Sequence, residues 1–128
     1  MSVQVKPGHR TSNEGVVLTK ATIRAADKLE VSQKTLASII GVSEAVVSRM
    51  RSGSFALERT SGKSFELAAL FIRLYRSLDA IVGGDEAVAR AWLKNENTVL
   101  QSRPIDLVQK VQGLIDVIHY LDARRAPI

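Results

Sequence analysis

Apolar residues recur every three to four positions along most of the chain, and no run alternates in the manner of a β-strand. The helical period begins at Thr19, in a first helix that ends near Glu30. It continues through two short helices within residues 33–51 and a long helix from residues 61–64 to about Val82. The pattern predicts an all-α fold.

Two further helices follow the Gly83-Gly84 pair that ends the long helix. Asp85 can cap a short helix, EAVARAWLK, which Asn95 to Asn97 break. Pro104 then begins a last helix whose apolar positions run to Leu121. A proline suits the first turn because the N–H group that it lacks would have no partner there.

The long helix carries apolar residues on more than one side, from Phe65 to Val82. Such a helix is either central in its own domain or shared with a second subunit. The pattern leaves both arrangements open.

The first 17 residues are polar, contain proline and glycine, and show no period. We expect residues 1–17 to form a flexible N-terminal arm. Its basic residues Lys6, His9 and Arg10 could enter a minor groove of DNA, although a terminus without a role is the simpler interpretation.

The stretch QKTLASIIGVSEAVVSRMR, residues 33–51, gives the strongest functional signal. Ala37 is small where two helices must cross closely, Gly41 permits the turn, and Ser43 can cap the second helix. This pattern is typical of a helix-turn-helix, whose second helix enters the major groove of DNA. The alternative is a structural corner between two helices that does not touch DNA.

The predicted DNA-binding residues are those that the motif leaves exposed or at the start of its first helix. They are Gln33, Lys34, Ser43, Glu44, Ala45, Ser48, Arg49 and Arg51. Arg49 is the longest donor on the second helix and is expected to contact bases, whereas Lys34 and Arg51 are expected to contact phosphates. Arg59 and Lys63, in and after the following loop, are further candidates for phosphate contacts.

Charge agrees with a polyanionic partner. The net charge is +5, and residues 1–60 hold nine basic residues against five acidic ones, compared with nine against eight in residues 61–128. The more basic half contains the helix-turn-helix, as DNA binding requires.

Composition excludes several other classes. The 128 residues include no cysteine, so there is no disulfide and no thiolate site. No apolar run approaches the roughly 20 residues of a membrane span, and the N-terminus lacks the apolar core of a signal peptide. We therefore expect a cytoplasmic protein. Two distant histidines imply no metal site, and no nucleophile, base and orienting group stand together, so we expect no enzyme and no cofactor.

The helix-turn-helix resembles that of the Xre/Cro family of bacterial and phage repressors. Residues 78–122 are similar to the C-terminal domain of the Xre/MbcA/ParS antitoxins. In that pattern a glycine precedes a helix that begins with an acidic residue, contains alanines and ends in Trp-Leu. A turn with an asparagine follows, and then a helix that starts with proline, a hydrophobic residue, aspartate and leucine. The matching residues are Gly84, Asp85, Ala91, Trp92, Leu93, Asn97, Leu100, Pro104, Ile105, Asp106, Leu107, Gly113 and Leu121. Arg103 departs from it, because a small residue commonly precedes the proline.

The resemblance implies a type II antitoxin that neutralises a RES-type, NAD-consuming toxin and represses the shared operon as a homodimer. It implies a helix-turn-helix domain over residues 18–62 and a helical dimerisation and toxin-binding domain over residues 63–128. The last helix and the tail would lie near the active site of the toxin. The expected toxin-binding residues are Asp116, His119, Tyr120, Arg124 and Arg125. Asp116, Asp122 or the terminal carboxylate of Ile128 would occupy a basic, pyrophosphate-binding pocket.

Two other functions remain open. One is a stand-alone Xre/Cro-like repressor whose C-terminal half only dimerises. The other is an RNA-binding or nucleoid-binding structural protein, which would explain the charge but not the second resemblance. Trp92 is expected to fill the core, and Gly113, placed within a helix, indicates a close approach of another backbone.

Overall fold

Seven α-helices make up the computed structural model, which describes residues 7–125, with side chains described from residue 13 onward. The helices are α1 (Pro7–Lys28), α2 (Gln33–Ile40), α3 (Glu44–Ser52), α4 (Lys63–Ile81), α5 (Glu86–Lys94), α6 (Pro104–Leu107) and α7 (Val111–Arg125). A 3₁₀ turn, Arg59–Ser61, precedes α4. No strand occurs in the described part of the chain, so the all-α prediction is confirmed.

Helix α4 lies at the centre of the fold, where it contacts α1, α2, α5 and α7. Phe71, Leu74 and Leu78 on α4 are fully buried. The apolar sides of this helix are therefore covered largely by its own chain. Of the two arrangements that the pattern left open, the structure supports the central one.

Helix α1 corrects the prediction of a flexible arm. It begins at Pro7 rather than Thr19, so the predicted arm was wrong from Pro7 onward; Lys6 and the side chains of His9 and Arg10 lie outside what is described. The first part of α1 packs through a close approach of two backbones rather than through a stripe of apolar side chains. Gly15 is buried, and a Cβ atom there would overlap the carbonyl oxygen of Leu57.

A buried hydroxyl completes the attachment of α1 to the loop after α3. Thr19 Oγ1 accepts a hydrogen bond from the backbone N–H of Leu57 at 2.9 Å and donates to the carbonyl of Gly15 at 2.7 Å. Leu57 is itself fully buried. The bond between Leu57 and Thr19 joins residues 38 positions apart in the chain, which a local pattern does not reveal.

Local capping signals were confirmed in the helix-turn-helix. The hydroxyls of Ser32 and Ser43 each accept a hydrogen bond from a backbone N–H in the first turn of α2 and α3, both at 3.1 Å. Gly41 adopts a left-handed conformation with φ 73°, which glycine does at no steric cost. Val47 and Met50 are buried between the helices.

The predicted last helix is two helices, α6 and α7, because the chain turns at residues 108–110. Gly113 in α7 lies so close to the end of α6 that a Cβ atom would overlap the carbonyl oxygen of Leu107. The close approach predicted for this glycine is therefore within the fold. The turn also changes the buried face: Val111 is 47% exposed, whereas Leu114 is fully buried.

Helix α5 is attached to the far end of α1 by side chains that reach backbone carbonyls. Lys94 Nζ donates to the carbonyl of Glu30 at 2.8 Å, and Arg90 donates to the carbonyl of Lys28 at 3.1 Å. Cations at this position satisfy carbonyls that the end of a helix leaves without partners. The turn between α1 and α2 is thus held by the second half of the chain.

We predict that Gly113→Ala destabilises the protein. In most helices this change would stabilise by about 1 kcal/mol, whereas here the overlap with Leu107 should give a net loss of about 1–3 kcal/mol. Urea unfolding followed by circular dichroism measures the difference. Ala123→Gly, at an exposed position of the same helix, is the control and should cost only about 1 kcal/mol. An unchanged or increased stability of Gly113→Ala would contradict the close approach.

Candidate DNA-binding face and toxin-binding surface

The exposed side of α3 contains five of the eight residues that the sequence assigned to DNA. Glu44, Ala45, Ser48, Arg49 and Arg51 are all exposed, while the buried residues of this helix point into the core. At about 100° per residue, Ala45 and Ser48 lie near the middle of the exposed side, and Arg49 and Arg51 lie on opposite edges. A helix with small residues in the middle of its exposed side can come close to the floor of a DNA groove. The cations at the two edges of that side then face the phosphate backbones that border the groove.

The beginnings of α2 and α3 meet at one end of this face. The side-chain amide of Gln33 donates to the carbonyl of Glu44 at 3.5 Å, and Lys34 is exposed beside it. Ser43 uses its hydroxyl oxygen as the cap of α3. The structure therefore brings Gln33, Lys34, Ser43 and Glu44 together, at two helix N-termini that favour an anion.

Two of the arginines assigned to phosphates have partners within the chain. Arg51 makes two contacts with the carboxylate of Asp27, at 2.9 and 3.1 Å, and this hydrogen bonding raises the pKa of the Arg51 guanidinium. Arg59 pairs with Glu14 at 2.6 and 2.8 Å and lies over the ring of Phe65. Arg59 thus ties α1 to the 3₁₀ turn, which is a different role from the one predicted.

Sequence reasoning missed two cations on α1. Lys20 and Arg24 are exposed and line a groove with Asp27, Met50 and Arg51, beside α3. Their spacing of four residues would have placed them on one side of a helix. Only the tertiary contact between α1 and α3 shows that this side of α1 lies next to α3.

Four of the five predicted toxin-binding residues lie along neighbouring positions on α7. Asp116, His119, Tyr120 and Arg124 follow helical spacing, with Asp116 and His119 exposed. Asp116 accepts a hydrogen bond from the side chain of Gln112 at 2.8 Å. The Arg124 guanidinium lies 5.5 Å from the centre of the Tyr120 ring and donates to its hydroxyl at 3.3 Å.

Helix α5 contributes to the same surface through Trp92. Its ring stacks on that of Tyr120, with centroids 6.2 Å apart and planes inclined by 20°. Trp92 is only partly buried, and Leu93 beside it is fully buried instead. The prediction that Trp92 fills the core was therefore wrong in part. Trp92 forms a partly exposed aromatic pair with Tyr120, and aromatic residues are common in protein interfaces.

Arg125 and Asp122 have a structural role that the sequence did not indicate. Asp122 accepts a hydrogen bond from the hydroxyl of Ser77 at 2.7 Å and pairs with Arg73, and Arg125 donates to the same hydroxyl at 3.0 Å. The bonds from Ser77 and Arg73 hold the pKa of the Asp122 carboxyl below its usual range. Arg125 is thus turned toward α4, away from Tyr120. Ile128 lies outside the described residues.

Two classes of site are not found. Among residues 13–125 no three His, Asp or Glu side chains gather as they would around a metal ion. None of the described helices is long and apolar enough to cross a membrane.

Comparison with protein families identifies the chain. Residues 8–73, just over half of it, match the antitoxin Xre-like helix-turn-helix domain, and residues 77–126 match the antitoxin Xre/MbcA/ParS C-terminal toxin-binding domain. The chain belongs to the Xre/MbcA/ParS antitoxins. A search of curated proteins finds no match.

The family assignment confirms the resemblance seen in the sequence. The chain is a type II antitoxin with a DNA-binding motif and a toxin-binding domain, and its family is not a family of enzymes. The two matches meet within α4, which belongs to the first match up to residue 73 and to the second from residue 77. The central helix of the antitoxin is therefore common to both parts.

We predict that Asp122→Asn lowers the stability of the antitoxin at pH 7 by about 1 kcal/mol, since a charged acceptor is lost. Because the folded-state pKa of Asp122 is lowered, its stabilising effect is present above the unfolded pKa of about 3.9 and is lost as the pH falls through the folded-state value. The difference between variant and wild type should therefore shrink toward pH 3. Urea unfolding at both pH values measures it, and a difference independent of pH would contradict the ion pair.

Proposed function

We propose that this antitoxin binds and neutralises a RES-type, NAD-consuming toxin and represses its own operon by binding operator DNA as a homodimer. The observation that supports the proposal most is the union, in one chain, of an exposed recognition helix with a matched toxin-binding domain. A protein that holds both activities can adjust expression of a toxin to the amount of that toxin.

Operator binding would place α3 in the major groove. Arg49, exposed at one edge of α3, would contact a base edge, while Lys34 at the start of α2 and Arg51 at the other edge of α3 would contact phosphates. Ala45 and Ser48 would face the groove floor without steric conflict. Two such helices in a dimer would lie one DNA turn, roughly 34 Å, apart.

The homodimer draws its support from apolar surface that α1 and α4 leave uncovered. Val17 on α1 is 69% exposed and lines, together with Leu18, Ala21 and Ala69, a groove of about 340 Å³. A self-complementary contact between two copies would place a projecting valine of each against the groove of the other. Most apolar side chains of α4 are covered within the chain, so of this helix only the surface around Ala69 adds to the argument for a dimer.

We predict that Arg49→Ala weakens binding to the operator by about 5- to 150-fold, corresponding to about 1–3 kcal/mol for a base contact. The probe is duplex DNA from directly upstream of the antitoxin gene, titrated by fluorescence anisotropy, and the stoichiometry of the same titration tests for two chains per duplex. The same change should weaken binding to a duplex of shuffled sequence less than it weakens binding to the operator.

Lys110→Ala serves as the control, because it removes an exposed cation far from α3 in sequence. Equal operator affinity of Arg49→Ala and Lys110→Ala would refute base contact by Arg49. Failure of the wild-type protein to prefer its upstream DNA would refute operator repression.

Toxin binding would use the surface formed by Asp116, His119 and Tyr120 on α7, together with Trp92 and Arg124. A toxin that consumes NAD must accommodate a pyrophosphate, so we expect a basic pocket that an acidic side chain can enter. Asp116 is the exposed acid on this surface. The Trp92–Tyr120 stack provides apolar contact area next to it.

We predict that Asp116→Arg combined with His119→Ala weakens binding to the RES-type protein encoded beside the antitoxin by about 30-fold or more, as loss of a central interface contact does. Affinity is measured with purified proteins, and NAD levels in cells co-expressing both proteins report neutralisation. Point changes are more informative here than a truncation of the C-terminus, because removing residues 120–128 would also remove the fully buried Leu121.

Glu66→Arg, the reversal of an exposed acid on α4, is the matched control and should neutralise normally. If the double variant neutralised the toxin as well as this control does, the interface would lie elsewhere. If the wild-type antitoxin had no effect on NAD loss, the proposed partner would be wrong, and repression without toxin binding would become the better hypothesis.

A further inference from the structure

The groove between α1 and α3 is lined by three cations and one acid. Lys20 and Arg24 come from α1, Arg51 comes from α3, and Asp27 lies among them. Lys20 and Arg24 lie outside the motif of residues 33–51 and have no part in the proposed operator readout, whereas Arg51 belongs to that motif. A role for this groove rests on the proposed DNA binding and would add a second contact surface to it.

The side chains of Lys20 and Arg24 on α1 are available to a partner. Both are exposed, and no hydrogen bond or ion pair joins either of them to a residue within 13–125. They stand four residues apart, so they lie on the same side of the helix with a rise of about 6 Å between them. Two cations arranged in this way can follow a line of negative charge.

Asp27 determines where the third cation lies. Its carboxylate holds the guanidinium of Arg51 through two contacts, at 2.9 and 3.1 Å, and so fixes that side chain across the angle between α1 and α3. A guanidinium has five N–H donors, and a bidentate carboxylate uses two of them. The remaining donors of Arg51 stay available beside Lys20 and Arg24.

The location of the groove determines which partner it fits. Arg51 lies on one edge of the exposed side of α3, so the groove adjoins the helix that would enter the major groove of DNA. When α3 occupies a major groove, the surface along its edge faces the phosphates of the adjacent strand. Ile23 is only partly exposed and Met50 is buried, so the groove offers no apolar anchor to a membrane surface.

We propose that Lys20, Arg24 and Arg51 form a phosphate-binding surface that holds the DNA backbone beside the site read by α3. The contact is electrostatic and independent of base sequence. Helix α1 therefore sets the affinity and register of the antitoxin on DNA, while α3 selects the sequence.

Salt dependence tests this proposal, because each phosphate contact contributes about 0.9 to the slope of log affinity against log salt concentration. Lys20→Ala and Arg24→Ala should each reduce the slope by about 1, and the double variant by about 2, on both upstream and shuffled duplex DNA. Discrimination between the two duplexes should stay unchanged. Circular dichroism should show an unaltered fold, because both side chains are exposed.

Lys110→Ala, which also removes one exposed cation, is the control and should keep the wild-type slope. Slopes of the Lys20 and Arg24 variants equal to that of the control would overturn the phosphate surface while leaving operator binding by α3 intact. A slope change seen only on duplex RNA of equal length would overturn it in favour of an RNA surface. Absence of wild-type binding to either DNA duplex would overturn both this proposal and the proposed repression.

Discussion

Burial of α4 is the interaction on which the rest of the antitoxin depends. Phe71, Leu74 and Leu78 are inaccessible to solvent because α1 and α2 cover one part of the helix and α7 covers another. The helix-turn-helix and the toxin-binding domain therefore share one apolar core, although the two family matches divide the chain near residues 73–77. Neither part can lose its contact with α4 without exposing apolar surface, at a cost of about 25 cal/mol for each Å².

Polar contacts at the edges of this core connect the two halves more specifically. Lys94 and Arg90 on α5 hold the carbonyls of Glu30 and Lys28, directly before the helix whose N-terminus would meet DNA. Ser77 on α4 anchors the end of α7 through Asp122 and Arg125. These contacts join the helices that carry the two proposed binding surfaces.

Local signals accounted for the parts of the fold that are determined within a few residues. Ser43 and Asp85 cap the helices expected of them, because a short polar side chain before a helical period can satisfy only the N–H groups that follow it. Gly41 makes the predicted turn for an equally local reason. The exposed side of α3 followed from its period, since the buried residues of a short helix leave one side for solvent or a partner.

Amino-acid sequence by itself thus determined most of the helices, some of their caps, the helix-turn-helix and, through the Trp-Leu and Pro-Ile-Asp-Leu motifs, the family. Contacts between distant segments decided the rest. The early part of α1 is held by the close approach of Gly15 to Leu57, which no hydrophobic pattern marks. The close approach at Gly113 was predicted, but only the fold shows that its partner is Leu107 at the end of α6. The Asp27–Arg51 pair likewise depends on how α1 crosses α3. Charged surface residues follow no hydrophobic period, so the sequence does not show which residue each of them contacts. Only the tertiary structure shows those ion pairs.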